Sequence, residues 1–225
     1  MATKHILHAL GEAYQAKSGV LMDTLSIGGV DAAKRVAAGE AFDIAFLASD
    51  AIDKLIAAGH IQQGSRVDWV KSTVAVAVRT GTATPDISSE ASVRAAVVAA
   101  PSISYSTGPS GVYLTQLFER WGLTDMVKEK LVQAPPGVPV GSLVANGEVS
   151  LGFQQLSELQ GVAGINVLGN LPEAIAYITT FSSGIPTLCS PAQTQAAQDL
   201  QAFLASAELE TIKREQGMYW SSPTP

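Results

Sequence analysis

Apolar positions along this chain follow two periods that trade places repeatedly. Ile6, Leu7, Leu10 and Tyr14 share one face of a helix over 3–17, with Thr3 as its N-cap. Residues 20–27 have the apolar density of a strand, which runs into Ser26-Ile27-Gly28-Gly29-Val30. Ala32, Ala33, Val36 and Ala37 then mark a helix closed by Gly39. Residues 43–48 are apolar enough for a buried parallel strand, and a helix over 50–58 capped by Gly59 follows. Such alternation predicts a parallel α/β sheet with right-handed crossovers.

The pattern continues with a β-rich run over 72–79 and a turn-prone stretch over 80–89. A second α/β unit follows: a helix over 92–99, a strand Ile103–Tyr105, and an amphipathic helix opening at Pro109. A short helix over 125–130, a strand Leu131–Gln133, a helix Val140–Asn146 and strands over 150–154 and 165–168 come next. A last β-rich run over 176–181 brings the chain back to helices over 192–205 and 208–215. The pattern predicts two α/β lobes joined by two crossing strands, residues 1–78 plus 180–225 and residues 79–179, with a cleft between them. Ligands of open parallel sheets sit outside the carboxyl ends of the strands, which this arrangement turns toward the cleft.

Composition narrows the classes. The 225 residues are 47% hydrophobic and 15% charged, which suits a chain with a real core. The formal charge is −6 and no basic stripe occurs, which argues against nucleic acid as a partner. An anion would have to be held by local dipoles and donors, because the overall field repels it. Cys189 is alone, so no intramolecular disulfide can form, and a lone thiol reads as a small buried hydrophobe. No apolar run reaches the roughly 18 residues of a membrane span, so no membrane insertion is expected. No signal peptide is visible, which leaves a cytoplasmic protein or a mature, trimmed form as the expectation.

The candidate chemistry centres on the loop between the strand Ile103–Tyr105 and the next helix. Ser106, Thr107 and Ser110 offer hydroxyls, and Pro109 suits a first helical turn. Gly108 and Gly111 allow close backbone approach. With the unpaired N–H groups and dipole of a helix start, the loop reads as an anion site, or as an ordinary N-cap. Gly28, Gly29 and Val30 form a backbone nest for an anion or a glycine-rich turn. Arg79 could pair with a ligand carboxylate at the lobe crossing, or stand as a solvated strand end. Tyr105 and Tyr113 line the cleft or join Leu114, Phe118 and Trp121 in the core; Ser182 and Ser183 suit a hinge or the cleft. Tyr219 and Trp220 read as a tail. No Ser/His/Asp arrangement, Cys/His metal spacing, Gly-x-x-x-x-Gly-Lys or Gly-x-Gly-x-x-Gly is present, so neither a metal nor another cofactor is expected.

Four segments together resemble the type II periplasmic-binding-protein fold, and within it the molybdate-binding-protein-like solute receptors of ABC transporters. They are Gly28 to Gly39 with Asp43-Ile44-Ala45-Phe46-Leu47-Ala48-Ser49-Asp50, the Pro109-Ser110-Gly111-Val112-Tyr113 helix opening, Val140 to Gly152, and the C-terminal strand and helix pair. The resemblance implies a monomeric, periplasmic binding protein that closes two lobes around a small anion for a membrane permease or a sensor. It places ligand contacts at Gly28-Gly29-Val30, at Ser110, at Pro139 or Val140, and at Gln155. It also turns the start of the first helix toward the cleft, which makes Thr3 a contact and His5 a candidate general acid or base, against the ordinary reading of a surface histidine.

The chain departs from that family in three places. The second loop lacks its serine hydroxyl, Gln155 stands where the family has tyrosine, and the chain starts at the first helix without the preceding strand and its serine. The last departure points to a mis-set start or a trimmed form. The changed donors point to an organic carboxylate ahead of a molybdate-type oxyanion. Some proteins resembling this subgroup are aconitate isomerases. On that alternative Gln155, Arg79 and the Ser/Thr loop hold carboxylates while a side chain moves a proton. A DNA-regulated sensing domain would need a helix-turn-helix segment, and none is visible.

Overall fold

The structure, a computed structural model, describes residues 2–219. In chain order the elements are α1 (Lys4–Ser18), α2 (Gly29–Ala37), β1 (Ala45–Ala48), α3 (Ser49–Ala57), β2 (Val67–Arg79), α4 (Glu90–Ala99), β3 (Ile103–Tyr105) and α5 (Pro109–Arg120). Then come α6 (Thr124–Val127), β4 (Leu131–Gln133), α7 (Val140–Asn146), β5 (Leu151–Gln155), α8 (Leu156–Leu159), β6 (Ile165–Asn170), β7 (Ile178–Gly184), α9 (Pro191–Leu204) and α10 (Glu210–Glu215). The chain divides into two compact units, one of residues 2–72 with 179–219 and one of residues 73–178. β2 leaves the first unit after Ser72, and β7 re-enters it at Thr179.

In the first unit β1 pairs antiparallel with β7, from Ala45 opposite Gly184 to Ala48 opposite Phe181. The expected parallel strand is therefore antiparallel, and its residues alternate between buried and half-buried. Two serines of β7 reach the first residues of β2: Ser182 Oγ donates to Asp68 Oδ1 at 2.6 Å, and Ser183 Oγ to the Val67 carbonyl at 3.3 Å. The apolar face of α1 packs Ile6, Leu7, Leu10 and Tyr14 against Trp69, Phe181 and Leu204. α2 and α3 cover β1 through Val36, Leu47, Ile52 and Leu55.

Two expectations for this unit are corrected. Residues 20–27 form no strand, and Val20, Leu21 and Leu25 stand exposed. A strand exists through its ladder, and among the described residues this segment forms none. Tyr219 is no tail: it exchanges both backbone hydrogen bonds with Lys71, at 2.8 and 3.1 Å. Trp220 lies outside the described residues.

The second unit has the strand order β6-β2-β5-β3-β4. β3 runs parallel to both β4 and β5, whereas β2 is antiparallel to β5 and β6. The period of two along the strands sends Val74, Val76, Val78, Ile103, Leu151 and Phe153 into one core with Val93, Val97, Leu114, Leu117 and Phe118 of α4 and α5. α7 lies on the other face. It sits so close that a Cβ at Gly152 would stand 2.6 Å from Val144 Cγ2 and 2.9 Å from Val140 Cγ1. Tyr113 belongs to this packing: it stacks on Tyr177 with ring centres 4.5 Å apart, and its hydroxyl donates to the Ile175 carbonyl at 2.8 Å.

Candidate functional site

Because β3, β4 and β5 are parallel and in register, their carboxyl ends come out on one edge of the second unit. Tyr105 lies opposite Gln133 on one side and Phe153 on the other. The chain leaves that edge through three loops, at 106–108, 134–139 and from Gln155 into α8. In the first loop, Ser106 Oγ lies 3.1 Å from Ser110 Oγ and accepts from Gly108 N–H at 3.4 Å. Ser110 is buried and Ser106 half-buried, while Thr107 is exposed.

α5 begins at Pro109, and its N-cap, Gly108, has no side chain to cap it. The Gly111 and Val112 N–H groups both donate to the Gly108 carbonyl, at 3.0 and 3.2 Å. Helix geometry leaves the Ser110 N–H, at the second position, without an intrahelical acceptor. At Gly111 no larger residue fits, since a Cβ there would stand 1.8 Å from the Ser106 carbonyl oxygen. The glycine lets the loop fold back on the helix start, which brings the two serines together.

The neighbouring edge is built from amides. Gln154 and Gln155 end β5, and both are buried. Gln154 Oε1 accepts from the Val140 N–H at 2.9 Å, so the first N–H of α7 is engaged inside the protein. One turn on, Glu158 is half-buried; burial pushes its carboxyl up, against a hydrogen bond with the Gln154 side chain. Ser104, just inside the edge on β3, is fully buried, and its hydroxyl has no hydrogen-bond partner among the described residues.

Sequence reasoning did not single out Gln154, Glu158 or Ser104. A signal was available: among residues 106–110, 134–140 and 155–160, Glu158 is the one Asp, Glu, Lys, Arg, His or Cys. It becomes visible only when the strand register shows that these three loops share an edge.

The other residues singled out lie elsewhere. β2 is antiparallel to β5, with Val74 opposite Gln155 and Ala77 opposite Gly152, so Arg79 stands beyond the amino end of β5. Its guanidinium packs over Gly147, where a Cβ would be 2.9 Å from Nη1. Thr3, His5, Gly28, Gly29 and Val30 belong to the first unit. Thr3 precedes α1 with no side-chain cap, and His5 is exposed in its first turn. Gly28 is the N-cap of α2, its carbonyl accepts from Ala32 N–H at 2.9 Å, and Asp31 places a carboxylate in that helix's first turn. Negative charge there already complements the dipole. Cys189 Sγ donates to the Phe42 carbonyl at 3.4 Å, and burial, with Asp43 nearby, pushes its thiol up, away from a reactive thiolate. Among the described residues no group of three or more His, Cys, Asp or Glu could hold a metal ion.

Residues 1–219 match the family model described as bacterial extracellular solute-binding protein. The chain belongs to this family. Its fold is that of two solved relatives. The Azotobacter vinelandii periplasmic molybdate-binding protein superposes with a TM-score of 0.79 at 20% identity, over 99% of this chain and 96% of that one. The substrate-binding domain of a putative molybdenum ABC transporter from Clostridium difficile gives 0.74 at 17% identity, over 98% and 96%. Both are type II periplasmic binding proteins, whose fold has two lobes. By sequence the chain is 36% identical over 220 residues to an aconitate isomerase from a Pseudomonas species, covering 94% of this chain and 82% of that protein. Among the described residues no helix is long and apolar enough to cross a membrane.

Proposed function

We propose that this protein binds a small organic polycarboxylate at the carboxyl edge of β3, β4 and β5, as the receptor of a membrane permease or sensor. The observation that carries the reading is the donor set of that edge. It combines the hydroxyls of Ser106 and Ser110, the start of α5, and the primary amide of Gln155. Hydroxyls and amides at a helix start stabilise an anion without a formal positive charge. An amide that both donates and accepts suits a guest with carboxylate and hydroxyl or alkene parts better than a symmetric tetrahedral oxyanion. Thr107, Gly111 and Val140 shape this edge in the same reading.

A thermal-shift comparison of citrate, cis- and trans-aconitate, tricarballylate and malate with molybdate, tungstate and sulfate tests this. A ligand at about 100 times its dissociation constant adds about 2.7 kcal/mol to the folded state. Replacing Ser110 or Gln155 with alanine is expected to cost about 1–3 kcal/mol of binding. A response to molybdate and tungstate alone would overturn the reading.

The 36% identity with an aconitate isomerase, spread over 94% of the chain, favours a second reading on the same edge: isomerisation of an unsaturated tricarboxylate. Proton NMR of trans-aconitate incubated with the protein tests it directly, and unchanged spectra would refute it.

A further inference from the structure

We propose that Glu158 is the catalytic acid–base of this edge, taking a proton from the methylene carbon of a bound unsaturated tricarboxylate and returning it to the distal alkene carbon. This rests on the isomerase reading. Changing the geometry of a double bond requires that its π character be lifted for a time. Removing the proton from a methylene flanked by a carboxylate and an alkene leaves an electron pair delocalised over three carbons. Return of the proton at the other end makes the original double bond single and forms a new one to the former methylene carbon, whose geometry is that of the conformation from which the proton was taken. One proton leaves, one arrives, and nothing is oxidised or reduced.

The group that does this must accept a proton from carbon, and the composition of the edge restricts the choice. Serine and threonine hydroxyls are too weakly basic without an adjacent base, and amides are not bases at all. Of the residues in the three loops, Glu158 alone carries a carboxyl, imidazole, amine or thiol side chain. His5, the histidine considered from sequence, is exposed on α1 in the other unit.

A carboxyl group is also out of place in a site that only binds anions, because its charge repels the guest. Glutamine would serve binding better, and Gln154, Gln155 and Gln160 show that this stretch accommodates it. The side chain is oriented as well. The Val140 N–H fixes Gln154 Oε1, which leaves the Gln154 NH₂ as the group that bonds the Glu158 carboxylate. A base held by a second, itself oriented, side chain is the arrangement general base catalysis requires. Burial pushes the carboxyl up from the ordinary carboxylate range, the direction that makes its carboxylate a stronger base.

The experiment compares the wild type with Glu158→Gln and Glu158→Asp. Deuterium uptake from D₂O into cis- and trans-aconitate is followed by proton NMR, and binding of the same acids by calorimetry. The expected result is that Glu158→Gln still binds aconitate but loses exchange by about 10²–10⁴-fold, with Glu158→Asp between it and wild type. Wild-type exchange in Glu158→Gln overturns the assignment while leaving isomerisation standing. Loss of binding in both variants makes Glu158 a binding group and also overturns it. A wild type that binds the acids without interconverting them or exchanging deuterium refutes the isomerase reading and this proposal together, yet leaves the receptor intact.

Discussion

At Gly111 the space between helix start and loop is less than an atom wide: a methyl group would overlap the Ser106 carbonyl at 1.8 Å. The obstacle is backbone, which cannot swing aside as a flexible side chain would. Gly111→Ala is therefore expected to cost at least about 3 kcal/mol, read from urea midpoints, and to abolish any ligand-induced thermal shift. Lys213 is a different case. It is fully buried on α10 and donates to the Leu204 carbonyl at 2.6 Å, at the end of α9. Burial pulls its ammonium down to about 8, with Glu210 acting against that. The folded value is thus below the unfolded one, about 10.4, so between these pH values the unfolded chain holds the extra proton. Stability from this group must rise as pH goes from about 8 to about 10. Lys213→Met should remove that rise, so the difference between wild type and variant in unfolding free energy should change between pH 7.5 and pH 10. A constant difference would show that the ammonium is not desolvated.

Among the elements, α9 opens with a full capping box. Ser190 Oγ accepts from Gln193 N–H, and Gln193 Oε1 accepts from Ser190 N–H at 2.9 Å. Ser190→Ala should cost about 1 kcal/mol by chemical denaturation. Signals this local are what a sequence displays well. β3, β4 and α7 lie where their patterns place them, because each is bounded by its own Pro, Gly or polar residues. Strands that depend on a distant partner were not legible. Residues 20–27 have strand composition but no ladder. The first residues of β2 were missed because Asp68 and Lys71 break the apolar pattern, although Arg66 and Ser182 both satisfy Asp68. α8 is a single turn and gives no period to detect. The same division runs through the candidate site. The loop from Ser106 to Ser110 could be read locally. Gln154 and Glu158 gain meaning only from the parallel register that sets three loops side by side, and the antiparallel register of β2 moves Arg79 to the far end of β5.

For the whole molecule, charge decides how a ligand arrives. The chain carries a formal −6, and a tricarboxylate near pH 7 carries about three negative charges of its own. At about 0.01 M salt the Debye length is about 30 Å, so an approaching anion meets the field of the entire protein; at about 0.15 M it is about 8 Å, and only nearby groups count. The donors at the edge of β3, β4 and β5 are hydroxyls, amides and a helix start, which act at contact distance and steer nothing from afar. Association should therefore speed up with added salt, by about threefold or more between those two conditions, the reverse of what a basic, steering site would show. Stopped-flow measurement of the association rate with citrate or cis-aconitate at a series of NaCl concentrations reads this directly. A rate that falls as salt rises would mean that a cation guides the ligand.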